Sequence, residues 1–181
     1  VTWKKISDGV GGPVDFHEMT ISPANPNIMY GWYEGALQKS IDGGNNWEII
    51  EAVNLPQPIS FVGDPTNEKR LYALTIYGAS LSEDQGRTWQ DVFPELRLNL
   101  VTVFAIHPND TQKIAAFSRK LGFMISIDAG KNWDRTNETF GGDFPIFIAF
   151  APTSPKWIYV LTKENKIYKS IDDGKTWNQI R

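Results

Sequence analysis

An eight-residue box, Ser-x-Asp-x-Gly-x-x-Trp, occurs four times in this chain of 181 residues. Its aspartates are 42, 44 and 44 residues apart. A motif that returns at a near-constant interval indicates one supersecondary unit per repeat. We therefore expect four similar units, each built around its box. The boxes contain Ser40, Asp42, Gly44 and Trp47; Ser82, Asp84, Gly86 and Trp89; Ser126, Asp128, Gly130 and Trp133; and Ser170, Asp172, Gly174 and Trp177.

Between the boxes, the units follow one plan. An apolar run is followed by a Pro/Asn turn, a second β-rich run, and a third strand that leads into the box; a fourth strand leaves the box at its Trp. Proline cannot sit in the middle of a strand, and Asn and Asp favour turns, so these residues separate the strands. No segment has a convincing helical period. Four strands per unit of this length predict an all-β fold, a β-propeller of four-stranded antiparallel blades.

The repeat also sets the predicted boundaries. Trp3 lies 44 residues before Trp47, so it matches the last strand of a unit whose earlier part is absent. We predict an orphan last strand at 1–10 and blades at about 11–50, 51–92, 93–136 and 137–181. Four blades could close a small ring, but the orphan strand favours part of a propeller with six to eight blades.

Composition excludes several classes of function. There is no cysteine, so disulfides, thiolate metal sites and cysteine nucleophiles are excluded. The net charge of −3 comes without a run of Lys or Arg, which argues against nucleic acid as a partner. No apolar run is long enough to span a membrane. His17 and His107 are the only histidines, and no phosphate loop or Gly-x-Ser-x-Gly motif occurs, so no metal and no cofactor is expected.

Every fixed residue of the box has a structural task in a tight hairpin. The Gly can take a positive φ, and the Ser and Asp side chains can bond to the turn. The Trp ring can bury a large apolar area. The alternative, a calcium site, is weak because each box offers one fixed carboxylate where calcium takes six or more oxygens.

The four boxes resemble the Asp-boxes, or BNR repeats, of sialidases, xyloglucan-active glycosidases, sortilin-type receptors and photosystem-assembly propellers. The segment 16–31 is similar to a bacterial group described as glycosyl-hydrolase-like. The resemblance implies that the boxes lie on the outer edge, away from the ligand. It also implies an extracytoplasmic or secreted protein.

Aligning the units on their turn prolines shows where they differ. The start of the first strand is markedly polar in the first unit alone, at Asp15, His17 and Glu18, and Asp143 lies near the matching point of the fourth unit. Glycoside hydrolysis uses two carboxyl groups, which different blades could supply. In xyloglucan-type relatives the catalytic aspartates lie near the starts of first strands, so the resemblance implies Asp15. The alternative is a solvated loop with a hydrogen-bonded histidine.

A second group is predicted on the same face. Trp32, Tyr33 and Glu34 form a loop whose aromatic rings could stack on sugars; the alternative is packing at a strand end. A sialidase is disfavoured, because it needs an arginine triad and only Arg97 and Arg119 could reach this face.

Two hypotheses of function follow. The first is a protein that acts on or binds carbohydrate, a glycoside hydrolase if it is an enzyme. The second is a non-catalytic scaffold that binds a protein or peptide. An incomplete propeller exposes blade faces, so we also expect self-association or pairing with the missing part of the propeller.

Overall fold

The computed structural model describes residues 2–136 and 138–181. Val1, in the predicted strand 1–10, and Asn137, the predicted first residue of the fourth blade, lie outside the described residues. The described residues form four sheets of four strands. The first has β1 Glu18–Ile21, β2 Met29–Tyr33, β3 Ala36–Ser40 and β4 Glu48–Ile50; the second β5 Pro58–Gly63, β6 Leu71–Thr75, β7 Gly78–Ser82 and β8 Gln90–Val92; the third β9 Val101–His107, β10 Asp110–Ser118, β11 Gly122–Ser126 and β12 Asp134–Arg135; the fourth β13 Pro145–Phe150, β14 Ile158–Thr162, β15 Ile167–Ser170 and β16 Asn178–Gln179.

Within each sheet the strands lie side by side in chain order. The pairs in the first, third and fourth sheets are antiparallel, as hairpin connections require. Among the described residues, helix is limited to two short 3-10 turns, Pro94–Leu96 and Phe140–Gly142. The predicted all-β architecture of four-stranded blades is confirmed.

One expected strand is not formed. The described residues of the predicted strand 1–10 have no strand conformation. A strand is defined by its hydrogen-bonded ladder, and this segment pairs with none of the sixteen strands of the described residues. Trp3, which the repeat aligns with the box tryptophans, is almost fully exposed.

The chain divides into two compact units. One holds the residues up to Ala73 together with Ser80–Gln90, and the other holds Leu74–Ala79 together with Asp91–Arg181. Each unit has an apolar core between two sheets, and fully burying one such side chain contributes about 1.5–3 kcal/mol. The first core contains Ile28, Tyr30, Leu37, Ile50, Phe61, Leu71, Ala73 and Trp89. The second contains Val103, Ala115, Phe117, Phe123, Ile125, Phe140, Ile148, Phe150, Ile158 and Val160.

The four boxes share one hydrogen-bond pattern. In the third box the Ser126 hydroxyl accepts the Gly130 N–H at 2.8 Å and donates to the Asp128 carboxylate at 2.8 Å. Asp128 also accepts the backbone N–H of Asn132 at 2.9 Å and its side-chain amide at 2.7 Å. The Trp133 indole N–H donates to the Gly130 carbonyl at 3.0 Å, so the ring is tied to the turn it covers. The Ser–Gly and Ser–Asp bonds measure the same 2.8 Å in the first, second and fourth boxes.

Each box glycine has positive φ and is covered by an apolar side chain from the segment packed against it. Ile6 lies on Gly44 and Leu37 on Gly86; Phe93 lies on Gly130 and Phe123 on Gly174. Leu37 and Phe123 occupy the same repeat position, three residues before the box serine. The second sheet has the small Ala79 at that position, and the ring comes instead from Phe93, which follows β8. The bare α-carbon is thus required by packing as well as by φ.

We expect Gly130→Ala to lower the free energy of unfolding by about 2–4 kcal/mol, because the new methyl group would overlap the Phe93 ring at φ +83. Gly141→Ala is the matched control: its φ is +68, but nothing lies within 4 Å of the new methyl group. We expect it to cost only the strain of the left-handed conformation, about 1 kcal/mol. Urea denaturation measures both; equal losses would contradict the packing role of the glycine.

The boxes should also make the free energy of unfolding depend on pH. Hydrogen bonds lower the pKa of Asp42, Asp128 and Asp172 to about 2; those from Asn46, Asn132 and Thr176, respectively, contribute most. A carboxyl whose folded pKa is depressed stabilises the fold above its unfolded pKa of about 3.9, and this is lost as the pH falls through the folded value. We therefore expect the urea midpoint to fall between about pH 4 and pH 2. Asp128→Asn should fall less steeply than wild type in that window; an equal slope would contradict this assignment.

Candidate functional site

The first sheet separates its box from the predicted ligand-binding residues. The start of β1 pairs with the end of β2, since Glu18 lies opposite Trp32. The box begins at the other end of the sheet, where Ser40 lies opposite Met29. We call the end with the box the box edge, and the end with the β2–β3 hairpin and the start of β1 the upper edge. The residues predicted from the first unit all lie at or next to the upper edge.

A tight hairpin presents Tyr33 and Glu34 at this edge. Tyr33 pairs with Ala36, which leaves Glu34 and Gly35 as a two-residue loop. Their φ angles are +47 and +83, and positive φ at both positions is the mark of a type I′ turn. The turn matches the twist of the two strands, so the Tyr33 side chain is held at a fixed place beside the start of β1.

His17, Tyr33, Glu34 and Asp15 form one polar cluster at the upper edge. The backbone N–H of His17 donates to the Trp32 carbonyl at 3.1 Å. The His17 and Tyr33 rings meet edge to face, with their centroids 6.2 Å apart. A hydrogen bond to Glu34 and the charge of that carboxylate raise the pKa of Tyr33, and the charge of Asp15 adds a smaller rise. Asp15 and His17 are exposed, so their polar atoms are available to a ligand.

A hollow of about 340 Å³ lies beside the cluster. The segment before Asp15 forms one wall, and β3 with the Tyr33 hairpin forms the other. The buried Gln38 fixes the two walls, since its side-chain oxygen accepts the Val10 N–H at 2.9 Å. The lining consists of Val10, Gly11, Pro13, Val14, Tyr33, Glu34, Ala36, Gln38 and Ile49.

Glu18 and Trp32 lie on the opposite face of the first sheet, because neighbouring residues in a strand alternate between faces. Glu18 is half-buried, and burial raises its pKa while the charge of His17 partly opposes this. Trp32 is half-buried and packs against the core of its unit. The predicted group is thus divided: the sheet separates Glu18 and Trp32 from His17 and Tyr33. The packing of Trp32 agrees with the alternative of a strand-end residue.

Asp143 lies in the other unit and already has a hydrogen-bond partner. Its side chain is only 7% exposed, and both carboxylate oxygens accept the Glu164 N–H at 3.3 Å. This contact holds the β14–β15 loop against the residue that precedes β13. A catalytic pair of Asp15 or Glu18 with Asp143 stays a prediction.

The sequence did not indicate a cationic cluster next to Asp143. The Arg119 guanidinium lies 4.0 Å from the centroid of the Phe144 ring, and the Lys163 ammonium lies 5.4 Å from it. The backbone N–H of Lys163 also donates to the Phe144 carbonyl at 3.0 Å. Arg119 was expected on the ligand side, but no local pattern connects it to a phenylalanine twenty-five residues later.

The surroundings of His107 give little support for a catalytic or metal-binding histidine at this position. This side chain is buried, its Nδ1 accepts the Asn109 N–H at 3.2 Å, and its ring lies 5.2 Å from that of Phe150. Burial lowers its pKa. Across residues 2–136 and 138–181, no three His, Cys, Asp or Glu side chains are grouped so that they could hold a metal ion. The same residues contain no helix long and apolar enough to cross a membrane.

No protein-family model matches the chain. Among curated proteins, the chain is 29% identical over 84 residues to vacuolar protein sorting/targeting protein 10 of Pyricularia oryzae. The aligned region covers 44% of this chain and 6% of that protein. The chain is 28% identical over 189 residues to a probable oligoxyloglucan-reducing end-specific xyloglucanase of Neosartorya fischeri. This alignment covers 87% of this chain and 23% of the relative. The chain thus spans less than a quarter of either relative.

Solved structures give a broader likeness. An ancestral GH74 enzyme superposes with a TM-score of 0.72 at 20% identity, over 99% of this chain and 25% of that one. YCF48 bound to D1 peptide superposes with a TM-score of 0.62 at 19% identity, over 92% of this chain and 54% of that one. At such identities the likeness concerns the fold alone. Together with the four sheets, it establishes that this chain has the β-propeller fold.

Proposed function

We propose that this chain is part of an extracytoplasmic Asp-box propeller protein that binds or cleaves carbohydrate, with the upper edge of the first sheet as its ligand site. The observation that carries the proposal is the grouping of Asp15, His17, Tyr33 and Glu34 beside an open hollow. The other three units have no such polar group where the first strand begins.

The chemistry of these side chains suits a sugar. A pyranose presents an apolar ring face and a rim of hydroxyl groups. The Tyr33 ring can stack on the face, while the carboxylates of Asp15 and Glu34 can accept hydrogen bonds from the hydroxyls. Carboxylate acceptors bond a neutral hydroxyl more strongly than neutral acceptors do. His17, held by its backbone bond to Trp32, limits how far the Tyr33 ring can turn.

Cleavage would need a proton donor and a second carboxyl group. Glu18 suits the donor, because burial raises its pKa and a raised pKa keeps the acid protonated at higher pH. Asp15 is exposed and suits the role of the second carboxyl group. Glu18 lies on the face of the sheet opposite to His17, and Asp15 belongs to the cluster that contains His17. A substrate that meets the carboxyl groups of both Glu18 and Asp15 therefore has to cross the end of β1.

The comparisons suggest the class of carbohydrate. The relative that aligns with most of the chain is described as acting on oligoxyloglucan, and GH74 enzymes are among the similar folds. We therefore place xyloglucan-type oligosaccharides first among the ligands to be tested.

A second function rests on a different observation. YCF48, which shares the fold, is described as bound to a peptide. A peptide-binding scaffold would use exposed side chains without general acid catalysis, so its binding should not depend on the protonation of Glu18.

Glycan binding can be tested by calorimetry with xyloglucan, mixed-linkage glucan, chitin and sialylated oligosaccharides. We expect a xyloglucan oligosaccharide to bind, and Tyr33→Ala to weaken binding about tenfold through loss of the stacked ring. Asp15→Asn should lower any hydrolytic rate by at least about 100-fold. Glu68→Gln is the control, because this exposed carboxylate lies at the box edge and a glutamine can still accept from Asn25. If none of these glycans is bound or cleaved, the proposal is lost.

The raised pKa of Glu18 has its own consequence. A carboxyl whose folded pKa is raised destabilises the fold once the pH passes its unfolded value, about 4.3, and rises through the folded pKa. Glu18→Gln removes this cost, so its gain in melting temperature over wild type should be larger at pH 7 than at pH 4. Glu34→Gln, at an exposed position, is the control. An equal gain at both pH values would contradict burial of the Glu18 carboxyl.

A further inference from the structure

We propose that protonation of His107 opens the turn that ties the third sheet to the fourth sheet at the box edge, so that this contact weakens in mildly acidic solution. His107 is the last residue of β9 and pairs with Asp110, the first residue of β10, across a two-residue turn. The inference concerns the response of the fold to pH and does not depend on the proposed ligand.

The repeat position of His107 performs one task in three of the four units. The residue before the turn proline uses its side chain to accept a backbone N–H of the turn that follows. These acceptors are Ser22, Asp64 and His107, which bind the N–H groups of Asn25, Thr66 and Asn109 at 3.3, 2.8 and 3.2 Å, respectively. In the fourth unit the position is occupied by Ala151, which has no side-chain acceptor.

An imidazole differs from the other acceptors in its response to protons. A hydroxyl group keeps a free lone pair at any pH, whereas a ring nitrogen that binds a proton becomes a donor. Since Nδ1 of His107 accepts the Asn109 N–H, the neutral ring carries its proton on Nε2. The second proton therefore has to bind at Nδ1, where it removes the acceptor of this hydrogen bond.

The protonated ring has no hydrogen-bond acceptor at the place where it lies. His107 is only 2% exposed, and its Nε2 is buried with no hydrogen-bond partner among the described residues. A proton on Nδ1 would point at the Asn109 N–H, so neither N–H of the charged ring would meet an acceptor. Burying a charge in this way is costly, so the protonated side chain has to turn out into water.

The groups around the ring do not compensate its charge. Burial and then the charge of Lys113 lower the pKa of His107, and the carboxylates of Asp110 and Asp173 oppose this only in part. Lys113 and Asp173 form an ion pair of 2.7 Å, so the carboxylate of the fourth box is already neutralised. From β13 the ring meets only the apolar ring of Phe150, with centroids 5.2 Å apart.

The turn after His107 also holds the fourth sheet. The Asn109 side-chain amide donates to the Pro152 carbonyl at 2.9 Å, and the Lys113 ammonium donates to the Pro155 carbonyl at 2.8 Å. Both carbonyls lie in the connection between β13 and β14. When His107 leaves its site, Asn109 loses the bond that fixes its backbone, so the connection in the fourth sheet loses one of its two anchors.

The sign of the effect follows from the lowered pKa of His107. In the open turn the side chain is solvated and titrates near its usual value of about 6.5. Below that pH the open form binds a proton that the closed form does not. The equilibrium constant of opening therefore rises by up to about tenfold per pH unit, until the pH reaches the folded pKa. The closed turn is fully stable above the unfolded pKa and becomes less stable as the pH falls below it.

Amide hydrogen exchange measured by NMR tests the proposal, with each rate divided by that of an unstructured peptide at the same pH. We expect the protection of the Asn109 amide to fall by about threefold to tenfold between about pH 7.5 and pH 5.5. The Trp157 amide, which donates to the Ser154 carbonyl at 2.8 Å in the fourth-sheet connection, should follow it. The Thr66 amide is the internal control: it makes the matching bond in the second unit, but its acceptor is not an imidazole, so its protection should stay constant.

His107→Asn separates the titration from the hydrogen bond. The Oδ1 of the new side chain can accept the Asn109 N–H as Nδ1 does, and an amide takes up no proton in this range. We expect equal protection at both pH values, although His17, the other histidine of the chain, is still present. Circular dichroism checks the fold of the variant; if it does not fold, the wild-type comparison decides alone. The proposal is overturned if wild-type Asn109 loses no more protection than Thr66, if Trp157 does not follow Asn109, or if the loss persists in the folded variant.

Discussion

The hydrogen bond from the box glycine N–H to the box serine hydroxyl, 2.8 Å long in every box, is the contact on which the rest of the structure depends. It holds the glycine in its left-handed conformation, which turns the glycine carbonyl toward the indole N–H of the tryptophan. It also leaves the bare α-carbon facing outward, where an apolar side chain covers it. One local bond thus sets both the closure of the hairpin and the closeness of the next packed segment.

This constraint determines where the chain can vary. The box edge has little room for change because its polar groups bond to one another and its glycines have no space for a methyl group. At the other end of each sheet, the described residues form no such network that is repeated in all four sheets. There the first sheet has a two-residue turn with a Tyr33 and Glu34 pair, and the fourth has Asp143 bonded to the Glu164 backbone. Loops on a rigid scaffold are where binding residues usually occur.

Local features could be predicted from the sequence, and contacts between distant residues could not. The four strands of each blade followed from prolines and boxes, which act over a few residues. The division of Glu18 from His17 by the sheet follows from strand alternation, a signal that the sequence contains. The stacking of Arg119 on Phe144 joins the residue that follows β10 to the residue that precedes β13, so no pattern along the chain marks it. The segment 2–10 resembles a strand by repeat position, but a strand exists only where a ladder partner does.

Phe93 carries a consequence for how such proteins diverge. In the second sheet, the small Ala79 stands at the position from which Leu37 and Phe123 cover a box glycine, and a ring fourteen residues later covers Gly130. Each box glycine is covered by an apolar side chain, but that side chain does not always come from the same repeat position. The side chain that covers a box glycine can therefore come from a loop in place of a strand, and the packing on the glycine is kept. Repeats aligned column by column would show such an exchange as two unrelated substitutions.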